Sequence, residues 1–410
     1  MCAALALCGT VSHNKTKDMR QLTIFSILVL ASLSSHAQID KLTESLNSYS
    51  IDLYSKLKTD NENLFISPLS TYYALLIGFE GARNETKLEF ERVLHIDNNE
   101  YLSGFPTFSE NLITWRDSSN YLNISNAIWI QKDFSITIDY KNNITQKYSS
   151  DLKTIDFKQK INASNEINDW VTDKTNGLIK NIISPNDIND YTRLIISNAI
   201  YFIGKWDNEF DKKLTKPDDF YSFDKSKSEI NFMNKTEYLS YYENNDFQFI
   251  SKPYEGNDKS FCIILPKTRY GLTDIENELT NSTIHTILNN TNYLQVRLTI
   301  PKFKLETNYS LIEPLKKLGL DKAFKPEADF SGITTEEPLM INKVNHKAYI
   351  KIDEEKTEAA AATIIAMMTG SAGGSMPKPK IFKADHPFTF MIIDNKTKGI
   401  IFIGRYARPE

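Results

Sequence analysis

The chain has 410 residues, 41% of them hydrophobic and 24% charged, which is enough apolar material for a large core and excludes a disordered or fibrous protein. Glycine (15) and proline (14) are at or below ordinary usage, so collagen-like and low-complexity architectures are excluded as well. Lys+Arg 48 against Asp+Glu 52 gives a net charge of −4 with no long basic stripe, and nucleic acid is not an expected partner.

Met19 to Ala37 combines a basic start at Arg20, an apolar run from Leu22 to Leu33 and the small-residue exit Ser35-His36-Ala37. That is the layout of a secretory signal peptide, with an apolar run too short to stay in a bilayer as an anchor. Residues 1–37 are therefore expected to be an N-terminal extension and signal peptide starting at Met19. Residues 38–410 are expected to be one exported domain with no integral membrane span, extracellular, or periplasmic or surface-bound in a bacterium. Cys2 and Cys8 leave with the leader, so Cys262 remains alone and cannot form an intramolecular disulfide. It sits in the apolar run Phe261 to Leu265, as a buried structural thiol would. Asn-X-Ser/Thr triplets at Asn84, Asn123, Asn143, Asn162, Asn234, Asn281, Asn289, Asn308 and Asn395 are glycan acceptors if the secretory route is eukaryotic.

Leu42, Leu46, Tyr49, Leu53 and Leu57 recur at helical spacing, and Asp60-Asn61-Glu62-Asn63 ends that helix. Tyr72 to Phe79 predicts a buried helix with Ser70 as N-cap and Gly81 as stop. Within Ile161 to Ile183, the shared face of Ile167, Trp170 and Val171 predicts a third helix broken at Thr175-Asn176-Gly177. Leu194 to Phe202 is a nearly continuous apolar run, the pattern of a strand covered on both faces, so Asn198 inside it must find hydrogen-bond partners. Further strands are predicted at Phe261 to Leu265, Leu294 to Ile300 and Ala348 to Ile352, and a hairpin joins Phe388–Ile393 to Ile400–Gly404. Helices early and strands later make an α+β order without βαβ alternation.

The motifs of metal, phosphate, dinucleotide and serine-hydrolase chemistry are absent, so no catalytic residue, metal ligand or cofactor is assigned. One stretch breaks the usual rules. Glu354 to Met376 passes from acidic to small, then apolar, then Gly/Ser residues. Local propensity favours a helix for its Glu/Ala half. A strand competes, because Thr357, Ala359, Ala361, Thr363, Ile365 and Met367 then share one uncharged face.

From Ile39 to Pro409 the chain resembles a serpin, in blocks that occur in family order. The blocks are Asn63 to Ser70, Ser197 to Trp206, Ala328 to Gly332, Asn345 to Ala348, Glu354 to Thr363, Asp385 to Phe390 and Phe402 to Arg405. The resemblance implies an α+β serpin fold, with multiple helices packed on three β-sheets and an exposed reactive-centre loop at about 354–380. It also implies a monomeric suicide inhibitor, consumed by its target, in which the cleaved loop enters the main sheet before the acyl-enzyme hydrolyses. The hinge would be Glu354, Lys356, Thr357, Glu358, Ala359, Ala360, Ala361, Ala362 and Thr363, and the scissile region Met368, Thr369, Gly370 and Ser371. Ser67, Ser70, Asn198, His346 and Trp206 match positions that govern sheet opening. Lys356 departs from the pattern, standing where inhibitory members usually have glycine; it motivates the alternative of a non-inhibitory binding or chaperone-like serpin. His386 stands where the family often has arginine or lysine and is given no role.

Overall fold

The computed structural model describes residues 36–59, 61–97, 99–113, 120–177, 179–354 and 378–410. The expected leader up to residue 35, the hinge beyond Glu354 and the scissile region lie outside the described residues.

Helix α1 is described over 36–57 and buries Leu42, Leu46, Tyr49 and Leu53, the stripe read from the spacing. Strand β1 (Leu64–Ile66) leads into α2 (Pro68–Gly81), a mostly apolar helix buried at every position except Glu80. Its N-cap is Ser67 and not the expected Ser70. The Ser70 backbone N–H donates to Ser67 Oγ at 3.2 Å, and Pro68, whose fixed φ suits a first helical position, moves the start upstream. Then follow α3 (Asn84–Val93), α4 (Phe105–Ile113), β2 (Tyr121–Gln131), α5 (Ile138–Asn142) and β3 (Asp151–Ile155). Helix α6 (Lys160–Lys174) stops at the predicted break, where Asn176 and Gly177 take φ of 50° and 80°.

Strand β4 (Leu194–Ile203) is the predicted apolar run. Strands β5 (Lys216–Tyr221), β6 (Lys227–Glu243), β7 (Phe247–Pro253) and β8 (Lys259–Pro266) come next, then α7 (Leu272–Asn277) and α8 (Asn281–Asn289). They are followed by β9 (Asn292–Pro301), β10 (Phe303–Ser310), α9 (Ile312–Leu318), β11 (Lys343–Ile352), β12 (Lys380–Lys383), β13 (Phe388–Asp394) and β14 (Ile400–Tyr406). Strand β11 starts five residues before the expected Ala348, because Asn345 and His346 are polar yet hydrogen-bonded inside.

Among the described residues the strands form two hydrogen-bonded sheets, where three were expected. One has five strands in the order β10-β11-β4-β2-β3; the other runs β1-β14-β13-β8-β7-β6-β9-β12 with β5 on β6. The long β6 joins what would be separate layers: its first part pairs with β5 and its last four residues with β7. The core lies between the ladders and around α2. There Phe65 stacks on Phe402 at 5.1 Å, and Cys262 is fully buried, which pushes its thiol up to about 12. Among the described residues no helix is long and apolar enough to cross a membrane, and no group of His, Cys, Asp and Glu could hold a metal ion.

Gly404 lets β14 approach β1. A Cβ there would meet Leu64 O at 2.5 Å and the Phe390 ring at 2.6 Å. Gly404→Ala is expected to lower stability by about 2 kcal/mol in urea unfolding; an unchanged midpoint would contradict this packing.

Candidate functional site at the seam of the five-stranded sheet

The middle of the five-stranded sheet is a parallel pair, β4 with β11, while their outer neighbours β2 and β10 are antiparallel to them. Paired positions run only from Lys343↔Ile195 to Lys347↔Ala199. Beyond that point the two strands go on to Ile352 and Ile203, each paired on its outer side but not with the other. The sheet has a seam that is closed along one half and open along the other.

The closed half is held by buried polar side chains. Asn126, Asn198 and His346 sit opposite one another on β2, β4 and β11. Asn198 Nδ2 donates to Asn126 Oδ1 at 2.7 Å and to Ser70 O at 2.8 Å, and its Oδ1 accepts from Ser70 Oγ at 2.5 Å. His346 Nε2 accepts from the Ser67 backbone N–H at 3.0 Å, which forces the ring proton onto Nδ1, where it faces Asn198 Oδ1 at 3.2 Å. Ser67 Oγ donates in turn to Ile401 O at 2.8 Å. The start of α2 thus clasps both strands from behind. His346 is fully buried, and desolvation lowers its pKa to about 3, so the ring stays neutral.

The front of the closed half lies under α6 and the segment after it. Ile167, Trp170, Val171, Ile179, Ile182 and Ile183 cluster with Trp129, Ile195 and Ala199, and Trp170 meets Trp129 edge to face at 6.0 Å. Three β11 side chains tie to this cover: Lys343 to Asp187 at 2.6 Å, Asn345 to Ile182 O at 2.8 Å and Lys347 to Lys180 O at 3.1 Å.

A second group of residues stands at the open end. Trp206, just past β4, donates from Nε1 to Asp353 O at 2.9 Å and stacks on Tyr254 with centroids 4.7 Å apart. Next to Asp353, Glu354 is buried, bridged to Lys302 Nζ at 2.6 Å and hydrogen-bonded by the Thr215 hydroxyl. Burial alone would raise the Glu354 pKa, but Lys302 and Thr215 hold it below the usual carboxylate value. The chain that leaves β11 is therefore anchored at the mouth of the open half.

Of the expected sheet-opening residues, Ser67, Ser70, Asn198 and His346 come together, and Trp206 stands apart with the root of the hinge. Asn126, Thr215, Lys302 and Asp353 were not anticipated. The only sequence signal for Asn126 is a polar residue within a strand-forming segment, and its partner lies 72 residues away.

The family profile described as Serpin (serine protease inhibitor) matches residues 44–409. An uncharacterized serpin-like protein of Thermococcus kodakarensis is 37% identical over 372 residues, covering 90% of this chain and 86% of the relative. The leukocyte elastase inhibitor of Xenopus tropicalis is 34% identical over 383 residues, covering 90% of this chain and 100% of the relative. Among solved structures, the thermophilic serpin tengpin in its native state aligns with a TM-score of 0.80 at 31% identity, covering 90% of this chain and 94% of that one.

The buried imidazole sets an acid limit on the seam. Between pH 6.5 and about 3 it stays neutral in the folded chain while its unfolded counterpart is protonated, so stability falls as the pH drops through this window. This group contributes up to ~1.4 kcal/mol per pH unit. His346→Gln is expected to flatten the acid dependence of the urea midpoint between pH 6 and 4; equal slopes in the two proteins would contradict the assignment.

Proposed function

This chain belongs to the serpin family, and we propose that it is an exported covalent-trapping inhibitor of serine proteases. The observation that carries this reading is the half-open seam, with the chain that becomes residues 355–377 rooted at its mouth by Glu354. A segment that leaves β11 and folds back into the seam runs antiparallel to both β11 and β4. It replaces one short parallel ladder with two longer antiparallel ones, the slightly more stable pairing. Burial of Ile365 and Met367 alone would add on the order of 3 to 6 kcal/mol.

The target's nucleophile attacks a loop carbonyl, the peptide C–N bond breaks, and the new amino terminus departs with the C-terminal part of the loop. The remaining acyl-enzyme is tethered to the hinge. About 12 residues inserted as a strand span roughly 40 Å, enough to carry the tethered protease from one end of the domain to the other before water completes its cycle. The small side chains of Ala359 to Ala362 suit rapid passage into a crowded sheet.

No Lys or Arg lies between Ala359 and Met376, which disfavours trypsin-like targets. Elastase-, chymotrypsin- and subtilisin-like enzymes fit better, with papain-like cysteine proteases a second class; the name of the Xenopus relative agrees with an elastase-like choice. The partner is the protease itself, held covalently by a monomer. Lys356 favours the second reading, a non-inhibitory serpin that binds or chaperones, because it stiffens the pivot.

Incubation with an elastase-like enzyme is expected to give a complex that survives SDS; complete turnover without that band would defeat the inhibitory reading. Mass spectrometry of the C-terminal fragment, freed by denaturation, locates the cut. A first residue of Ser371 corresponds to cleavage after Gly370, and Thr369 to cleavage after Met368. The cleaved protein is also expected to melt well above the intact one, and an unchanged melting temperature would select the non-inhibitory reading.

A further inference from the structure

Beneath Trp206 lies a charge pair that the insertion chemistry does not require. Lys252 on β7 is fully buried, with Nζ 2.5 Å from Glu237 Oε1 on β6. Its ammonium also reaches the loop after β4. Nζ donates to Asn208 O at 2.8 Å and lies 5.4 Å from the Trp206 ring centroid and 5.0 Å from that of Phe210. Glu237 completes the circuit, since its Oε2 accepts from Asn208 Nδ2 at 3.0 Å. From the other side, Lys235 Nζ reaches Asn208 Oδ1 at 2.6 Å.

The network thus fixes one short loop by its backbone, by an amide and by two aromatic faces. That loop bears the Trp206 whose indole N–H reaches across to Asp353 O. One side of the open seam ends in this loop and the other ends at Asp353, so the indole bolts the two sides together.

A buried ion pair is a costly way to build a core, because the solvation lost by both charges consumes most of their attraction. Apolar residues of similar volume would serve the fold equally well. A cation held against two ring faces does something an apolar residue does not: it attracts the negative faces of Trp206 and Phe210 and limits their tilt.

We propose that Lys252, paired with Glu237, is a positioning residue for the gate: it holds Trp206 in the orientation that bolts the seam and so sets how long the uninserted form persists. The proposal deepens the loop-insertion reading and rests on it. Loss of the cation would loosen the bolt, and intact protein would convert spontaneously to an inserted form at a higher rate.

The test uses full-length protein carrying Lys252→Met, with Lys252→Met/Glu237→Leu in case the single change leaves Glu237 unpaired and prevents folding. The readout is the half-life of the intact form at 37 °C, followed by native electrophoresis without protease, alongside the melting temperature of the loop-cleaved form. Expected is a half-life shorter on the order of tenfold, with the cleaved form melting as in the wild type. In a Trp206→Phe background the Lys252 change is expected to add little further, because both act through the same bolt. An unchanged half-life, an equal loss of stability in the cleaved form, or full additivity with Trp206→Phe would each overturn the proposal. Failure of the underlying reading looks different: wild-type protein would gain no stability when its loop is cut.

Discussion

The structure depends on one junction, the hydrogen bond between His346 on β11 and Asn198 on β4. These strands meet as the one parallel pair in the middle of the five-stranded sheet, and they separate after five paired positions. On the proposed inhibitor reading, the junction must be firm enough to hold the sheet closed and weak enough to yield to a better partner. A neutral imidazole against a saturated amide meets both needs, since it satisfies buried polar groups without placing a charge in the core.

What surrounds the junction follows from this constraint. The start of α2 braces it from behind through Ser67 and Ser70. Helix α6 and its return cover the closed half in front with apolar packing built on Trp129 and Trp170. At the other end, Trp206 holds Asp353 and Lys302 holds Glu354 at the mouth of the open half. On the proposed reading, each of these elements either delays opening or aims the chain that would fill the seam.

Much of this is legible in the sequence. The Leu194 to Phe202 run read as a strand covered on both faces, and β4 is that strand, with α2 behind and α6 in front. Asn198 stood out because an amide in such a run needs partners, but its partners Ser70 and Asn126 lie 128 and 72 residues away, beyond any spacing rule. Strand β2 is hard to read from sequence because Asn126 falls on the face otherwise carried by Leu122, Ile124, Ile128 and Ile130. The N-cap of α2 was placed three residues late, since Ser67 and Ser70 are equivalent on local chemistry and Pro68 decides between them. The sheet count failed at β6, whose 17 residues give no sign of the point where it passes from one layer to the next. Glu354 read as the start of an acidic and small-residue stretch; its burial against Lys302 comes from the turn between β9 and β10, which no local pattern reveals.

The most direct measurement is hydrogen exchange on the amides of Ala348–Ile352 and Ile200–Ile203, before and after the loop is cut. If the severed chain fills the seam, the alternate amides of these segments that face it acquire ladder partners and their exchange slows by orders of magnitude, while those already bonded to β2 and β10 change little. Exchange equally fast in the cut and intact proteins would mean that the seam stays empty, and would contradict the account.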